Sequence, residues 1–180
     1  FEHQDEMPKV AHPDSLPTEA ERIAPHLEKL PAGMRERAAY ARPFELRVAD
    51  ADDELRFQTK PRPAVRNVWL RAKGTLPDDA GLHPYLLAYA SDYSFVTTSL
   101  LPHGVTWLTP GMQIASLDHA MWFHQPFRVD QWLLHSMDGQ AAHGGRGLVR
   151  GRVFSEDGRL VASTAQEGLI RMREKKVSSG

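Results

Sequence analysis

The stretch that decides the fold is His83-Pro-Tyr-Leu-Leu-Ala-Tyr-Ala-Ser-Asp-Tyr-Ser-Phe-Val96. It is apolar on nearly every side. Pro84 stands where the first turn of a helix accepts it, because an N–H there has no intrahelical partner. A helix that is apolar all round is normally buried. The segments around it read as strands. Phe44-Glu-Leu-Arg-Val48 alternates apolar and polar residues, and Val65 to Ala72 is rich in Val, Trp and Leu. Gly111 to Phe123 and Gln131 to Met137 follow, and Gly147 to Phe154 alternates again. Glu156-Asp-Gly-Arg159 supplies Asp-Gly turn chemistry, so Leu160 to Met172 pairs back as an antiparallel partner. One buried helix among about six long antiparallel strands predicts an α+β fold, a sheet wrapped around a helix.

Outward from that core the chain changes character. Pro8, Pro13, Pro17, Pro25, Pro31 and Pro43 interrupt a polar N-terminal segment. Proline fixes φ and removes a donor, so no long element runs through it. Residues 1–43 read as a linker or an arm lying on a partner surface. A short helix is expected from Thr18, whose spacing to Glu21 matches a capping box, and another from Met34 to Ala41. Residues 44–176 form the domain, ending in the basic run Arg171 to Lys176, and 177–180 are a tail without a signal.

The 180 residues suit one domain plus extra chain. At 41% hydrophobic and 25% charged, the chain can bury a core and is not disordered throughout. Lys+Arg number 22 against 23 Asp+Glu, a net charge of -1. Nucleic-acid and membrane-surface binders show a basic excess, so neither partner is expected. No apolar run approaches the ~20 residues of a membrane span. The absence of Cys excludes disulfides, cysteine-ligated zinc and a thiol nucleophile, and is compatible with the cytoplasm. The chain opens at Phe1 without an initiator Met, as a trimmed or partial product would.

Three places could carry chemistry. Asp92 has Ala88, Tyr89, Phe95 and Val96 as helical neighbours. An acid on an apolar stripe is costly unless partnered, and such acids often serve as bases or water-orienting groups. Equally, Asp92 with Ser91 and Ser94 could mark the helix's exposed side. In Ser116-Leu-Asp-His-Ala-Met-Trp-Phe-His124, strand alternation sets Ser116, Asp118, Ala120, Trp122 and His124 on one face and His119, Met121 and Phe123 on the other. His119 and His124 then point apart, so no metal site is expected, and Asp118 reads as a hydrogen-bond partner for nearby backbone or a His ring. In the last strand Leu160, Ala162, Thr164, Gln166 and Gly168 share a face, where Gln166 either reaches a cavity or is plain surface. Glycine-rich His143-Gly-Gly-Arg146 lacks the strand-then-helix setting of a phosphate loop.

Taken in order, Phe1-Glu-His-Gln4, Ala90-Ser-Asp-Tyr93, Leu101-Pro-His-Gly104, the Ser116–His124 run, Arg146-Gly-Leu-Val-Arg-Gly151 and Leu160-Val-Ala-Ser-Thr-Ala-Gln-Glu-Gly168 resemble the second half of a type II acyl-CoA thioesterase of the TesB-type, double-hotdog family. The resemblance covers nearly the whole chain. It implies a hotdog fold, a long curved antiparallel sheet wrapped around one central helix, with a first unit before the arm that is missing or exists as a separate piece. It also implies a water oriented by an Asp, a Thr or Ser hydroxyl and a Gln, which fall on Asp92, Ser116 and Gln166. Ser116 replaces the relatives' Thr, keeping the hydroxyl and losing the methyl that fixes its rotamer. The implied activity is hydrolysis of fatty acyl-CoA to free acid and CoA, with no cofactor, no metal and no covalent intermediate. A backbone N–H near the start of the central helix would receive the oxyanion. Arg146 and Arg150, with Lys73 and the basic tail, are candidates for the CoA phosphates. The alternatives are a non-catalytic acyl-CoA-binding scaffold and an enoyl-CoA hydratase, although His83-Pro84 lacks the adjacent acid the latter requires. A single hotdog leaves sheet edges and a helix face uncovered, so a second hotdog unit and homo-oligomerisation are expected.

Overall fold

The computed structural model describes residues 1–29, 33, 35, 42–50 and 60–173. The helix expected at 34–41 falls almost entirely outside the described residues, as do 174–180. Among the described residues seven strands form one antiparallel sheet: β1 Phe44–Val48, β2 Val65–Ala72, β3 Met112–Ser116, β4 Ala120–Phe123, β5 Leu133–His143, β6 Arg146–Ser155 and β7 Leu160–Met172. The spatial order is β1-β2-β5-β6-β7, and β3 and β4 share the far edge of β7. The hairpin of β6 and β7 turns at Asp157-Gly158, where Gly158 takes φ 88°, as the Asp-Gly pair predicts. The glycine pair before Arg146 is the two-residue turn between β5 and β6, with φ 59° at Gly144 and 75° at Gly145.

The stretch expected as one strand from Gly111 to Phe123 is two strands. The break comes where the amides of Leu117 and Asp118 both donate to the Glu167 carbonyl, at 2.9 and 3.4 Å. The Asp118 carboxylate replaces the missing backbone acceptor and takes the Glu167 N–H at 2.7 Å. Strand alternation therefore does not carry through from Ser116 to His124. A second irregularity displaces Leu160. Val153 lies opposite Ala162 but Phe154 opposite Leu160, so Val161 is an extra residue. Leu160 consequently packs against the outer aromatic cluster rather than sharing the buried face of Ala162, Thr164, Gln166 and Gly168.

The central helix also departs from expectation. It is α2, Leu82–Ser91, which follows the short α1 at Glu19–Ile23. Asp92 caps α2, Ser94 turns the chain at φ 66°, and α3 then spans Phe95–Thr98. Leu87, Ala90 and Phe95 are fully buried against the sheet's inner face. Tyr85 and Tyr89 are 76% and 58% exposed, so the helix is not covered all round in this chain.

Three glycines seat α3 on the sheet. Gly147 and Gly168 are register partners on β6 and β7. A Cβ on Gly168 would lie 2.5 Å from Val96 Cγ1, and one on Gly147 would strike the Ser99 side chain. A Cβ on Gly151 would collide with Thr164, His135 and Phe95. Beneath Phe95, His135 stacks with ring centroids 5.4 Å apart and shares a 3.1 Å hydrogen bond with Thr164.

The outer face carries Trp69, Trp132, Leu134 and Phe154, covered by Met7, Val10 and Leu16. The stretch from Gln4 to Leu16 of the N-terminal arm thus packs on the chain's own sheet. Trp69 Nε1 donates to the Ala11 carbonyl at 3.0 Å. Gln4 brackets the β6–β7 turn, donating to the Gly158 carbonyl at 2.8 Å and accepting from Leu160 N–H at 3.0 Å. The Thr18–Glu21 capping box forms as expected.

Two outcomes follow from this packing. Gly168→Ala should lower stability by about 1–3 kcal/mol, the usual cost of overpacking, read as a shifted denaturant midpoint. An unchanged midpoint would mean that α3 gives way freely. His135 is completely enclosed, and burial, aided by the nearby His119, pushes its ring from 6.5 down to about 3. The folded protein therefore resists a proton that the unfolded chain accepts near pH 6.5, and stability falls as pH drops from about 6.5 toward 3. His135→Gln should lose less melting temperature than the parent between pH 7 and pH 4.5. Equal losses would exclude His135 as a cause.

Candidate active site

Three elements meet where α2 ends. Asp92 is the C-cap of α2, Ser116 is the last residue of β3, and Gln166 lies mid-strand on the inner face of β7. Ser116 is the register partner of Gly168, two residues from Gln166. The structure brings the three candidates together. Gln166 Nε2 donates to Asp92 Oδ1 at 2.7 Å, and Ser116 Oγ donates to the same oxygen at 3.4 Å. Asp92 is exposed in this chain, so it stands on the open side of the helix end.

A carboxylate only accepts, which orients the Gln166 amide with its NH₂ toward Asp92. That leaves Gln166 Oε1 on a residue 1% exposed, with no hydrogen-bond partner among the described residues. A buried acceptor without a donor costs about 1–3 kcal/mol, so Gln166 Oε1 calls for a donor such as a water. The neighbouring backbone is fixed by Asp118, whose bond to Glu167 N–H realises the role expected of it.

The histidines point apart. His119 Nε2 lies 2.7 Å from Ser91 Oγ, and His124 Nε2 lies 2.8 Å from Ser163 Oγ. Among the described residues no three His, Asp or Glu side chains gather as metal ligands would.

A cavity of about 300 Å³ opens beside Asp92, lined among others by Arg42, Lys60, Arg62, Arg66, Leu101 and Trp107. Arg66 is 6% exposed, and its Nη1 donates to Thr97 Oγ1 at 3.2 Å. Its Nε stands 4.0 Å from Asp50 Oδ2. Burial pushes the Asp50 carboxyl above its ordinary value, against the opposing pull of Asn67 and Arg66. On the same wall Arg42 lies over the Tyr93 ring at 5.4 Å. Burial and the Tyr89 hydroxyl push the Tyr93 phenol up to about 12.

Arg146 and Arg150 are not among the cavity's residues. From Arg146 to Val153 the buried positions of β6 are Gly147, Val149, Gly151 and Val153, so Arg146 and Arg150 occupy the outer face. Arg146 Nε lies 3.5 Å from Glu167 Oε1. The cavity's own cations escaped the reading of the sequence. One signal was present: Arg66 falls in alternation with Val68, Leu70 and Ala72, which is an arginine on the apolar face of a strand. Lys60 and Arg62, flanking Pro61, carried none.

The Acyl-CoA thioesterase family model matches residues 41–169. Acyl-CoA thioesterase 2 of Haemophilus influenzae is 40% identical over 174 residues, spanning 97% of this chain and 60% of that protein. Acyl-coenzyme A thioesterase 8 of Mus musculus is 38% identical over 181 residues, spanning 96% and 55%. The crystal structure of the acyl-CoA thioesterase II TesB2 from Mycobacterium marinum superposes with TM-score 0.71 at 35% identity, covering 97% of this chain and 59% of that one. A protein of unknown function with hotdog fold from Alicyclobacillus acidocaldarius gives TM-score 0.66 at 20% identity, with 97% and 58% covered. The chain thus spans little more than half the length of these relatives. Its curved sheet around a helix is a hotdog, and on the extent of the family match the chain belongs to the acyl-CoA thioesterase family.

Proposed function

We propose that this chain supplies the hydrolytic site of an acyl-CoA thioesterase, cleaving an acyl-CoA thioester to a carboxylic acid and CoA with a directly attacking water. The observation that carries this reading is the Gln166 amide, held to Asp92 through Nε2 while its buried Oε1 lacks a partner. A water bridging that oxygen and the Asp92 carboxylate has both hydrogens accepted and a lone pair free for the thioester carbon. Asp92 takes the water's proton as it attacks, and Ser116 steadies the carboxylate. The tetrahedral intermediate collapses by expelling the CoA thiolate, which needs no covalent enzyme intermediate. Asp92 at the solvent-facing end of α2 suits a substrate arriving from outside, and positioning is the main source of rate.

The phosphates of CoA require cations. Arg42, Lys60, Arg62 and Arg66 surround the cavity beside Asp92, and this supports them over Arg146 and Arg150 for that role. The greater length of the relatives, with the uncovered Tyr85 and Tyr89, supports a second hotdog unit packed over α2. No helix among the described residues is long and apolar enough to cross a membrane.

Asp92→Asn keeps shape but removes the charge and the basic lone pair. It should lower kcat on an acyl-CoA by roughly 10²–10⁴ while melting is retained. Near-normal turnover in a folded Asp92→Asn protein would remove Asp92 from the mechanism, whereas absence of thiol release from the parent protein would point to a scaffold role. Lys60→Ala should raise KM for acyl-CoA by about tenfold, near 1.4 kcal/mol, and leave KM for the acyl thioester of N-acetylcysteamine unchanged, since that analogue has no phosphates. Equal effects on both substrates would remove Lys60 from phosphate binding.

A further inference from the structure

The three groups of the site stand on separately built pieces of chain. Asp92 ends α2, Ser116 ends β3, and the bond between them is long at 3.4 Å. A side chain outside the trio ties those pieces together. His119 lies in the link between β3 and β4, and its Nε2 reaches Ser91 Oγ at 2.7 Å. Ser91 is fully buried and covalently adjacent to Asp92. The Ser91 hydroxyl also contacts the Ala88 carbonyl at 2.9 Å and Met121 Sδ at 3.2 Å. Carbonyls in the last turn of a helix lack amide partners, so Ala88 is the acceptor that claims the single hydroxyl proton. Oγ is then left to accept, and His119 donates through Nε2–H.

The ring has a second hold. Phe95, at the start of α3, meets it edge-on with centroids 5.7 Å apart. The other end of the link is pinned as well, by Asp118 to the amide of Glu167, next to Gln166. The segment 117–119 is thus fastened to β7 beside one site residue and to α2 beside another. We propose that His119 is a positioning residue, which through Ser91 fixes Asp92 relative to Ser116 and Gln166. It touches no reacting atom, and its role rests on reading that trio as the water-orienting site.

The test compares His119→Leu, His119→Gln, Ser91→Ala and the His119→Leu/Ser91→Ala double variant in the full protein. Leucine fills the space without a donor, whereas glutamine carries an amide donor at about the reach of Nε2. His119→Leu should lower kcat by roughly ten- to hundredfold with KM within about twofold, as misplacement of a reacting group does. His119→Gln should recover kcat to within about threefold of the parent. Ser91→Ala should match His119→Leu, and the double variant should be no worse than either, because both break one connection. Parental kcat in His119→Leu, glutamine no better than leucine, or additive losses would each overturn the proposal. Asp92→Asn, run alongside, separates the two levels. If it hydrolyses like the parent, the water-orienting reading falls and the tie is judged by hydrogen exchange. Faster exchange at 91–95 in His119→Leu but not in His119→Gln supports the tie, and unchanged exchange overturns it.

Discussion

The height of α3 above the sheet is set by two glycines that face each other across β6 and β7. With no Cβ on Gly147 or Gly168, Ser99 and Val96 rest almost on the strand backbone. A methyl at either place would lift the helix. The low seat of α3 fixes its neighbours in turn. The left-handed turn at Ser94 joins α3 to α2, and Asp92 lies just before that turn. Its carboxylate is thereby lowered to hydrogen-bond distance from Gln166 on the same strand that carries Gly168. Phe95 is pressed over His135 by the same seating. The site is a by-product of packing that the side chains of β6 and β7 leave room for, and its geometry is only as good as that packing.

Charge is distributed unevenly around this seat. Arg66 points inward from a strand face otherwise given to Val68 and Leu70. A buried guanidinium is costly unless its donors are met, and a buried ion pair often repays no more than its desolvation. Burial raising the Asp50 carboxyl despite Arg66 nearby agrees with that balance. The pair is a poor stabiliser, and its physical effect is a cationic wall on a cavity whose other side is the Asp92 end of α2.

Much of this was legible in the sequence because it obeys local rules. The Val, Trp and Leu of Val65 to Ala72 and the Asp-Gly turn marked strand limits, and Thr18 with Glu21 announced a cap that is present. The trio Asp92, Ser116 and Gln166 came from motif resemblance, since periodicity left Asp92 and Gln166 undecided. What escaped was decided by tertiary contacts. The split at Leu117–His119 depends on Asp118 finding Glu167, 49 residues along the chain, a pairing that no turn signature announces. The extra residue at Val161 is set by pairing with β6. The turn at Ser94 is taken by a non-glycine residue, so no sequence cue marked it. Arg146 and Arg150 failed to reach the cavity for a simpler reason: alternation along β6 sends them to the other face.

The arm across the outer face has a consequence for how the chain is made. Gln4 leaves the ribosome 154 and 156 residues ahead of its partners Gly158 and Leu160. At cellular elongation rates the interval is roughly ten to thirty seconds. Trp69 and later Trp132 emerge while Phe154 and the closing hairpin, to which the arm is tied, are still unmade. Contacts of such sequence separation form last and slow folding. The nascent chain therefore presents an aromatic surface for many seconds before the hairpin arrives to anchor the Gln4–Leu16 stretch over it, which is the period in which a chaperone has something to hold.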